Sequence, residues 1–184
     1  MTTISDLPEN LPIPEDDGAC NNLPGQAIPN ISLTATNGET VNLQGIKGRL
    51  VIYCYPMTKQ PDKKLPDGWG EIPGAMGCTP QSCSFRDHYS ELQALNTHVY
   101  GLSTQTTEYQ KEAKERLHLP FELLSDSHLL FSQALGLPLL HVDDMTLTKR
   151  VTIIFEDGKI VKYFYPVFPP DKNIDQVLEW LQGN

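Results

Sequence analysis

Residues 49–55 read RLVIYCY, a short run that is almost continuously β-branched, aromatic or otherwise apolar. A strand that is buried on both faces has this composition, whereas a strand with one face in water alternates apolar and polar residues. The run therefore predicts a central strand in a sheet that other elements cover on both faces.

The segments around this strand predict the rest of an α/β fold. Before it, period-two alternation on both sides of Asn37-Gly38 indicates a β-hairpin. After it, helix-like and strand-like segments alternate, and Asp157-Gly158 marks a second hairpin. We expect an α/β domain with a mixed central sheet flanked by helices. The later strands are predicted at 98–103, 122–124, 151–155 and 160–165, and the helices after Thr79, at 107–117, from Ser125 or Asp126 to residue 135, and after Asp171.

Two stretches lie outside this pattern. Five prolines fall within residues 1–29, and the scarcity of periodicity there predicts an extended N-terminal arm over residues 1–23, followed by one domain over residues 24–184. Residues 56–79 also show neither a helix pattern nor a strand pattern. Irregular stretches of that length inside a domain are uncommon and are often functional.

The composition argues against several classes of function. The chain has 184 residues, with 14 basic and 23 acidic side chains and a net charge of −9. The acidic excess argues against nucleic acid and anionic membranes as partners, and no apolar run approaches the ~18 residues of a membrane span. Residues 1–17 hold five acidic residues and no basic one, unlike a secretory or transit peptide. We expect a soluble cytoplasmic protein.

The four cysteines indicate redox chemistry rather than structural disulfides, because reducing compartments keep thiols free. Cys78 and Cys83 lie five residues apart, where the irregular stretch joins a predicted helix. The N–H groups and the positive dipole at a helix N-terminus favour the thiolate of a cysteine placed there, and the thiolate is the nucleophilic form. Arg86 and Arg150 are the candidate cations that would support such a thiolate.

The spacing leaves two geometries open for a disulfide between Cys78 and Cys83. Thr79 is the predicted N-cap of the helix and Pro80 its first residue. If both cysteines nevertheless lie within the helix, their Cα atoms are about 8.6 Å apart. A disulfide needs ~4.4–6.8 Å, so the first turn would have to unwind. If Cys78 instead precedes the cap, the two side chains occupy the positions of a hydrophobic staple and are able to meet.

The segment Gly77-Cys78-Thr79, followed by Cys83 and then by Phe85-Arg86-Asp87, resembles the active-site signature of peroxiredoxins of the PrxQ, or bacterioferritin comigratory protein, type. The resemblance covers residues 24–182, and the cysteine segment is its most specific part. The neighbouring segments follow in a similar order, which is Tyr53-Cys54-Tyr55-Pro56 before the cysteines, then Gly101-Leu102-Ser103, Leu124-Ser125-Asp126 and Arg150-Val151-Thr152-Ile153-Ile154.

The resemblance implies a thioredoxin-like fold and a thiol-dependent peroxidase that requires neither a metal nor an organic cofactor. Cys78 matches the peroxidatic cysteine, which attacks hydrogen peroxide or an alkyl hydroperoxide and becomes a sulfenic acid. Cys83 matches the resolving cysteine, which forms an intramolecular disulfide with it, and Arg150 matches the arginine that supports the thiolate and polarises the peroxide. Thioredoxin or a similar dithiol would then reduce the disulfide, in an enzyme that is a monomer or a homodimer.

The sequence departs from the family pattern in front of Cys78. Family members usually have Pro, three residues, Thr and two residues before the cysteine. Here Ala75 stands at the Thr position, and Pro56 lies 22 residues upstream of Cys78. Residues 57–76 are therefore predicted to hold an insertion of about 15 residues.

These departures leave some roles open. Because Ala75 replaces the family threonine, the hydroxyl of that threonine is missing, and either Thr58 or Thr79 is expected to supply it. Gln81 stands where this type often has Glu. Trp69, inside the predicted insertion, is interpreted either as a lid over the site or as an anchor that pins the loop to the body.

The other two cysteines are expected to take no part in the chemistry. Cys54 lies in the central strand and is predicted to be a core residue. Cys20 lies in a polar stretch and is predicted to be an incidental surface thiol, with an alternative resolving partner as the competing interpretation.

Two other functions would use the same residues. A thioredoxin-fold copper chaperone also has two nearby cysteines, but it typically has three residues between them instead of the four found here. In a redox-switched interaction protein, the insertion would bind a partner and the disulfide would control that binding. We favour the peroxidase, because it accounts for Cys78, Cys83 and Arg150 together.

Overall fold

The computed structural model describes residues 7–184, and these residues form one large mixed sheet and a separate hairpin. The strands are β1 (Ser32–Ala35), β2 (Thr40–Asn42), β3 (Arg49–Cys54), β4 (Thr97–Ser103), β5 (Leu123–Ser125), β6 (Leu139–Val142), β7 (Met145–Thr148), β8 (Val151–Glu156) and β9 (Lys159–Phe164). The sheet order is β2-β1-β5-β4-β3-β8-β9, while β6 and β7 pair only with each other. Strand β4 is parallel to β3 and β5, and the remaining pairs are antiparallel. The predicted α/β class with a mixed sheet is confirmed.

Strand β3 lies inside the sheet between β4 and β8, and its side chains alternate between two hydrophobic cores. Leu50, Ile52 and Cys54 belong to one core. Val51 and Tyr53 belong to the other. Each of these side chains is at most 1% exposed. Burial on both faces explains the uninterrupted apolar run and confirms the predicted central strand.

Helices cover both faces of the sheet. Side chains of α1, α2, α3 and α5 contribute to the core that contains Tyr53, and side chains of α4 contribute to the core that contains Ile52. Within residues 7–184, no helix is both long enough and apolar enough to cross a membrane. The helices are α1 (Cys78–Asp87), α2 (Tyr89–Ala94), α3 (Thr107–Leu117), α4 (Leu130–Leu135) and α5 (Asn173–Gly183).

Two helices differ from their predicted bounds. The helix expected after Thr79 is interrupted at His88, which separates α1 from α2. The helix expected directly after Asp126 begins only at Leu130. The carboxylate of Asp126 nevertheless accepts a hydrogen bond of 2.9 Å from the backbone N–H of Phe131. It therefore caps the first turn from a loop position that the spacing alone does not reveal.

The hairpin of β6 and β7 is absent from the sequence prediction. Its register pairs Leu140 with Leu147, and its turn places Asp143 at a positive φ of 51°. Leu147 packs with Trp69 and Ala75 in a small satellite core. Contacts that are distant in sequence thus support the hairpin. Trp69 is only 3% exposed, as the anchor interpretation expects.

The N-terminal segment packs against the domain. Residues 7–31 contain no helix or strand and make one isolated bridge, between Ala27 and Lys159. Cys20 is fully buried in the core that contains Ile52. The prediction that Cys20 is a surface thiol is therefore wrong, because its segment is folded onto the sheet. The boundary at residue 23 and the insertion over residues 57–76 stay predictions, and residues 1–6 of the predicted arm lie outside the described residues.

Candidate active site

The irregular stretch after β3 ends at Gly77, directly before α1. Gly77 has a φ of 107°, in the left-handed region. A Cβ atom at this position would lie 2.7 Å from Cγ of Pro170 and 3.1 Å from Cδ2 of Leu7. Both the backbone conformation and the available space therefore require glycine. This close approach sets Cys78 at the first position of α1, beside the short 3₁₀ helix Pro170–Lys172.

The predicted helix cap is displaced towards the N-terminus. Gly77 is the N-cap, so Thr79 and Pro80 are the second and third residues of α1. Proline is tolerated there because the first-turn N–H groups have no partner within the helix. Of the two geometries considered for the cysteines, the structure has the first, in which Cys78 and Cys83 both lie within the helix.

The thiol of Cys78 is paired with a guanidinium. Nη2 of Arg150 donates a hydrogen bond of 3.1 Å to Sγ of Cys78. The cysteine is 4% exposed and the arginine 3%. A cation within hydrogen-bond distance stabilises a thiolate, and it does so more strongly where water is excluded. The first-turn N–H groups of α1 add to this effect. The arrangement thus places a cation and the positive end of a helix dipole at the sulfur of Cys78.

Uncharged groups hold Arg150 in place. Its Nη1 donates to Oε1 of Gln81 at 2.6 Å. Its Nε donates to the carbonyl of Gly74 at 3.3 Å. Its Nη2 also lies 3.1 Å from the carbonyl oxygen of Ala75 and 3.3 Å from that of Met76. Because none of these four partners carries a formal charge, none of them neutralises the positive charge beside the sulfur of Cys78.

Gln81 links α1 to two other elements. Its side chain is fully buried, and its Nε2 donates to Oδ1 of Asn173 at 3.1 Å. The same oxygen accepts a hydrogen bond of 2.7 Å from Oγ1 of Thr152. Asn173 begins α5 and Thr152 lies in β8, so this network ties the first turn of α1 to the sheet and to the last helix. Sequence reasoning identified Gln81 only as a departure from the family pattern, and it missed Asn173 and Thr152, which carry no local signal.

Cys83 lies on the same helix and is 5% exposed. Burial raises the pKa of its thiol above the ordinary value, and the charge of Arg86 partly offsets this effect. Arg86 also donates a hydrogen bond of 2.8 Å to the carbonyl of Leu117. Of the two candidate cations, Arg150 therefore contacts Cys78, whereas Arg86 acts on Cys83. Both cysteines are free thiols in this structure.

A cavity of about 430 Å³ opens onto Cys78 and Cys83. The predicted insertion supplies much of its wall, through Met57, Thr58, Leu65, Trp69 and Met76. The cavity is therefore mainly apolar on this side. The cationic side chains Arg86 and Arg116 line it as well.

Both candidates for the missing hydroxyl line this cavity. Thr58 is 2% exposed, and its Oγ1 donates to Oε1 of Gln105 at 3.3 Å. Thr79 occupies the second position of α1, next to Cys78. Ala75, at the usual position of the family threonine, contributes its carbonyl oxygen, which lies 3.8 Å from Sγ of Cys78.

The remaining cysteines lie apart from this site. Cys54 is fully buried in the core, as predicted. Burial, with smaller contributions from Asp17 and Asp16, raises the pKa of Cys20 to about 12. Neither thiol is among the described residues that line the cavity. Within residues 7–184, no three His, Cys, Asp or Glu side chains are placed to share a metal ion.

The chain is similar to known proteins over most of its length. The model of the redoxin family matches residues 23–178. The chloroplastic peroxiredoxin Q of rice, Oryza sativa subsp. japonica, is 34% identical over 163 residues, which cover 86% of this chain and 66% of the rice protein. The chain thus spans just under two thirds of that relative's length. The chloroplastic peroxiredoxin Q of Sedum lineare is 32% identical over 163 residues, which cover 86% of this chain and 77% of the relative.

A solved structure has a fold similar to that of this chain. The crystal structure of peroxidoxin BcpB from Mycobacterium tuberculosis superposes with a TM-score of 0.72 at 22% identity, and the match covers 88% of this chain and 97% of that one. At this identity the likeness concerns the fold alone. Together with the redoxin match, it confirms the predicted thioredoxin-like class.

Proposed function

Because the chain belongs to the redoxin family, and within it to the thiol-dependent peroxidases of the peroxiredoxin Q type, we propose that Cys78, Cys83 and Arg150 carry out a peroxidase cycle. The observation that supports this most directly is the 3.1 Å contact between Nη2 of Arg150 and Sγ of Cys78. A buried thiol that is paired with an arginine, at the first position of a helix, is arranged to react as a thiolate.

In the first step, the Cys78 thiolate attacks an oxygen of a hydroperoxide, ROOH. The S–O bond forms as the O–O bond breaks, so that Cys78 becomes a sulfenic acid and RO⁻ leaves and takes up a proton to give ROH. Negative charge moves from the sulfur to the leaving oxygen during this step. The guanidinium of Arg150 stabilises that charge, because it is already in place beside the sulfur.

In the second step, the thiol of Cys83 condenses with the sulfenic acid on Cys78. An S–S bond forms and one water molecule leaves, so no further oxidant is required. The position of Cys83 supports this role, since it shares both α1 and the cavity with Cys78.

In the third step, a dithiol of the thioredoxin type reduces the disulfide. One of its thiolates attacks to form a mixed disulfide, and its second thiol then releases both cysteines of this chain as thiols. Such a cycle requires a reducing compartment, and we propose the cytoplasm. A monomer or a homodimer is sufficient, because all the proposed catalytic residues come from one chain.

We further propose that the preferred substrates are bulky organic hydroperoxides. The cavity of about 430 Å³ is far larger than a water-sized peroxide requires, given about 30 Å³ for a water molecule in the liquid. Its wall includes Met57, Leu65, Trp69 and Met76. Transfer of an apolar R group from water onto such a wall favours binding.

Turnover assays with a hydroperoxide and a thioredoxin-type reductant test this function. Cys78→Ser is expected to abolish turnover, whereas Cys83→Ser is expected to consume one equivalent of peroxide and then stop. Cys20→Ala, which alters a buried thiol outside the cavity, is the matched control and should keep turnover. Full activity in Cys78→Ser would contradict the proposal. A wild-type protein that reacts no faster than an ordinary thiol would favour the redox-switched interaction protein instead.

A further inference from the structure

Resting on this peroxidase cycle, we propose that Gln81 and Asn173 form a latch on the first turn of α1. The opening equilibrium of this latch sets the rate at which the Cys78–Cys83 disulfide forms. Gln81 and Asn173 thereby act as positioning residues, through the helix and not on the substrate. They also set how long the sulfenic acid on Cys78 stays exposed to a second peroxide molecule.

The helix must open before the two sulfurs can bond. Cys78 and Cys83 lie five residues apart within α1. In an α-helix this spacing separates the Cα atoms by about 8.6 Å and turns the side chains about 140° apart around the axis. A disulfide needs Cα atoms within ~4.4–6.8 Å of each other. Disulfide formation therefore requires the turn between the two cysteines to unwind.

Gln81 lies within that turn and is held at both ends of its amide. Its Oε1 accepts from Nη1 of Arg150 at 2.6 Å, and its Nε2 donates to Oδ1 of Asn173 at 3.1 Å. The side chain is fully buried. Unwinding of the turn moves the backbone of Gln81 and breaks both hydrogen bonds, and it leaves buried polar groups without partners.

The other side of the latch is anchored to rigid elements. Oδ1 of Asn173 accepts from Oγ1 of Thr152 at 2.7 Å, and Thr152 is fully buried in β8. Among the described residues, Nδ2 of Asn173 is buried without a hydrogen-bond partner. A buried amide that leaves its own donor unsatisfied is costly. The contribution of Asn173 therefore comes from its oxygen, which holds Gln81 on one side and Thr152 on the other.

The latch creates a competition between two fates of the sulfenic acid. If the turn opens, Cys83 attacks Cys78, and the products are the disulfide and water. If it stays closed, a second ROOH oxidises the sulfenic acid to a sulfinic acid and leaves as ROH, which inactivates the enzyme. A weaker latch is thus expected to speed disulfide formation and to protect Cys78 at high peroxide concentration.

Single-turnover kinetics of two variants test the latch. Thr152→Val removes one hydrogen bond to Asn173 and leaves the contact between Gln81 and Arg150 in place. We expect disulfide formation about tenfold faster than in the wild type, the effect of losing one hydrogen bond. The sulfinic fraction at a fixed peroxide concentration should fall by a similar factor, and the rate of the peroxide step should not change. Gln81→Met keeps the length of the side chain without its polar atoms and removes both hydrogen bonds of Gln81. It should accelerate disulfide formation at least as much as Thr152→Val.

Thr97→Val is the matched control for these variants. Thr97 is also a buried threonine on the sheet, but its hydroxyl bonds to the carbonyl of Leu95, away from the latch. This control should form the disulfide at the wild-type rate. Wild-type disulfide formation in both Thr152→Val and Gln81→Met, or in the one that folds, overturns the latch. Absence of a sulfenic acid on Cys78 in Cys83→Ser, with no peroxide consumed, would instead overturn the peroxidase cycle on which the latch rests.

Discussion

Cys78 and Arg150 are 72 positions apart in the chain, yet Nη2 of the arginine lies 3.1 Å from Sγ of the cysteine. The sheet brings them together. Strand β3 delivers the chain to the stretch that ends at Cys78, Arg150 directly precedes β8, and these two strands are antiparallel neighbours in which Cys54 pairs with Val151. The register thus places Arg150 beside the end of β3, where the irregular stretch that leads to Cys78 begins.

Replacement of Arg150 by lysine tests the role of the planar guanidinium. Lysine keeps the charge, but it lacks the forked donors that contact Gln81 and the carbonyl oxygens of the Gly74–Met76 stretch at the same time as the sulfur. We expect the rate of the peroxide step to fall about 100-fold, as measured by stopped-flow kinetics of the reduced protein. Arg116→Lys changes another arginine of the cavity wall and should react at a rate close to the wild type. An Arg150→Lys rate that matches this control would contradict the assigned role.

Gly77→Ala is expected to destabilise the fold. The residue has a φ of 107°, and an added Cβ atom would lie 2.7 Å from Cγ of Pro170. The free energy of unfolding should fall by about 2 kcal/mol, as measured by denaturant titration. Gly45→Ala is the control, since a Cβ atom there meets nothing within 4 Å. Equal stabilities of the two variants would mean that the close approach at Gly77 is not required.

The charges beside Cys83 are expected to control the second step of the cycle. Burial raises the pKa of Cys83, Arg86 lowers it and Asp87 raises it again. Because the thiolate fraction of a thiol rises as the pH approaches its pKa from below, disulfide formation should accelerate as the pH increases through neutrality. At pH 7, Arg86→Gln should slow disulfide formation and Asp87→Asn should accelerate it, while the peroxide step stays unchanged. Rapid-quench mass spectrometry measures both steps, and shifts of the two variants in the same direction would refute this electrostatic control.

The apolar wall of the cavity is expected to determine substrate preference. Leu65 lines the cavity and makes no direct contribution to the proposed chemistry. Leu65→Ser should raise KM for cumene hydroperoxide about tenfold, which corresponds to the loss of one apolar contact surface. It should leave the kinetics with hydrogen peroxide unchanged. Val161→Ser, at an exposed apolar position, is the control, and an equal effect on both peroxides in Leu65→Ser would argue against a substrate-binding wall.

Local patterns predicted the parts of the fold that local interactions decide. The apolar run of residues 49–55 becomes β3. The helix predicted at 107–117 becomes α3, and Oγ1 of Thr106 caps it by accepting a hydrogen bond of 3.3 Å from the backbone N–H of Tyr109. The hairpin of β6 and β7 escaped prediction because Leu147 is stabilised by Trp69, which is far away in the sequence. Cys20 was misplaced for a similar reason, since its polar neighbours gave no sign that the segment packs on the sheet.

Some features of the candidate site are visible in the sequence, and others depend on tertiary packing. The spacing of Cys78 and Cys83 and their place at a helix start are visible in the sequence. That Arg150 and not Arg86 contacts Cys78 depends on the pairing of β3 with β8, which only a family resemblance anticipates. The hydrogen bonds that join Gln81 to α5 and β8 depend wholly on tertiary packing.

Peptide mapping of the oxidised protein shows whether Cys78 and Cys83 form the redox pair. One equivalent of hydrogen peroxide is added to the reduced protein, and intact masses and peptides are compared with those of Cys83→Ser. We predict a rapid loss of ~2 mass units that maps to a Cys78–Cys83 disulfide, and a stable sulfenic acid on Cys78 in the variant. Slow oxidation spread over all four cysteines, with Cys20 and Cys54 modified as readily as Cys78, would mean that Cys78 and Cys83 are not the redox pair.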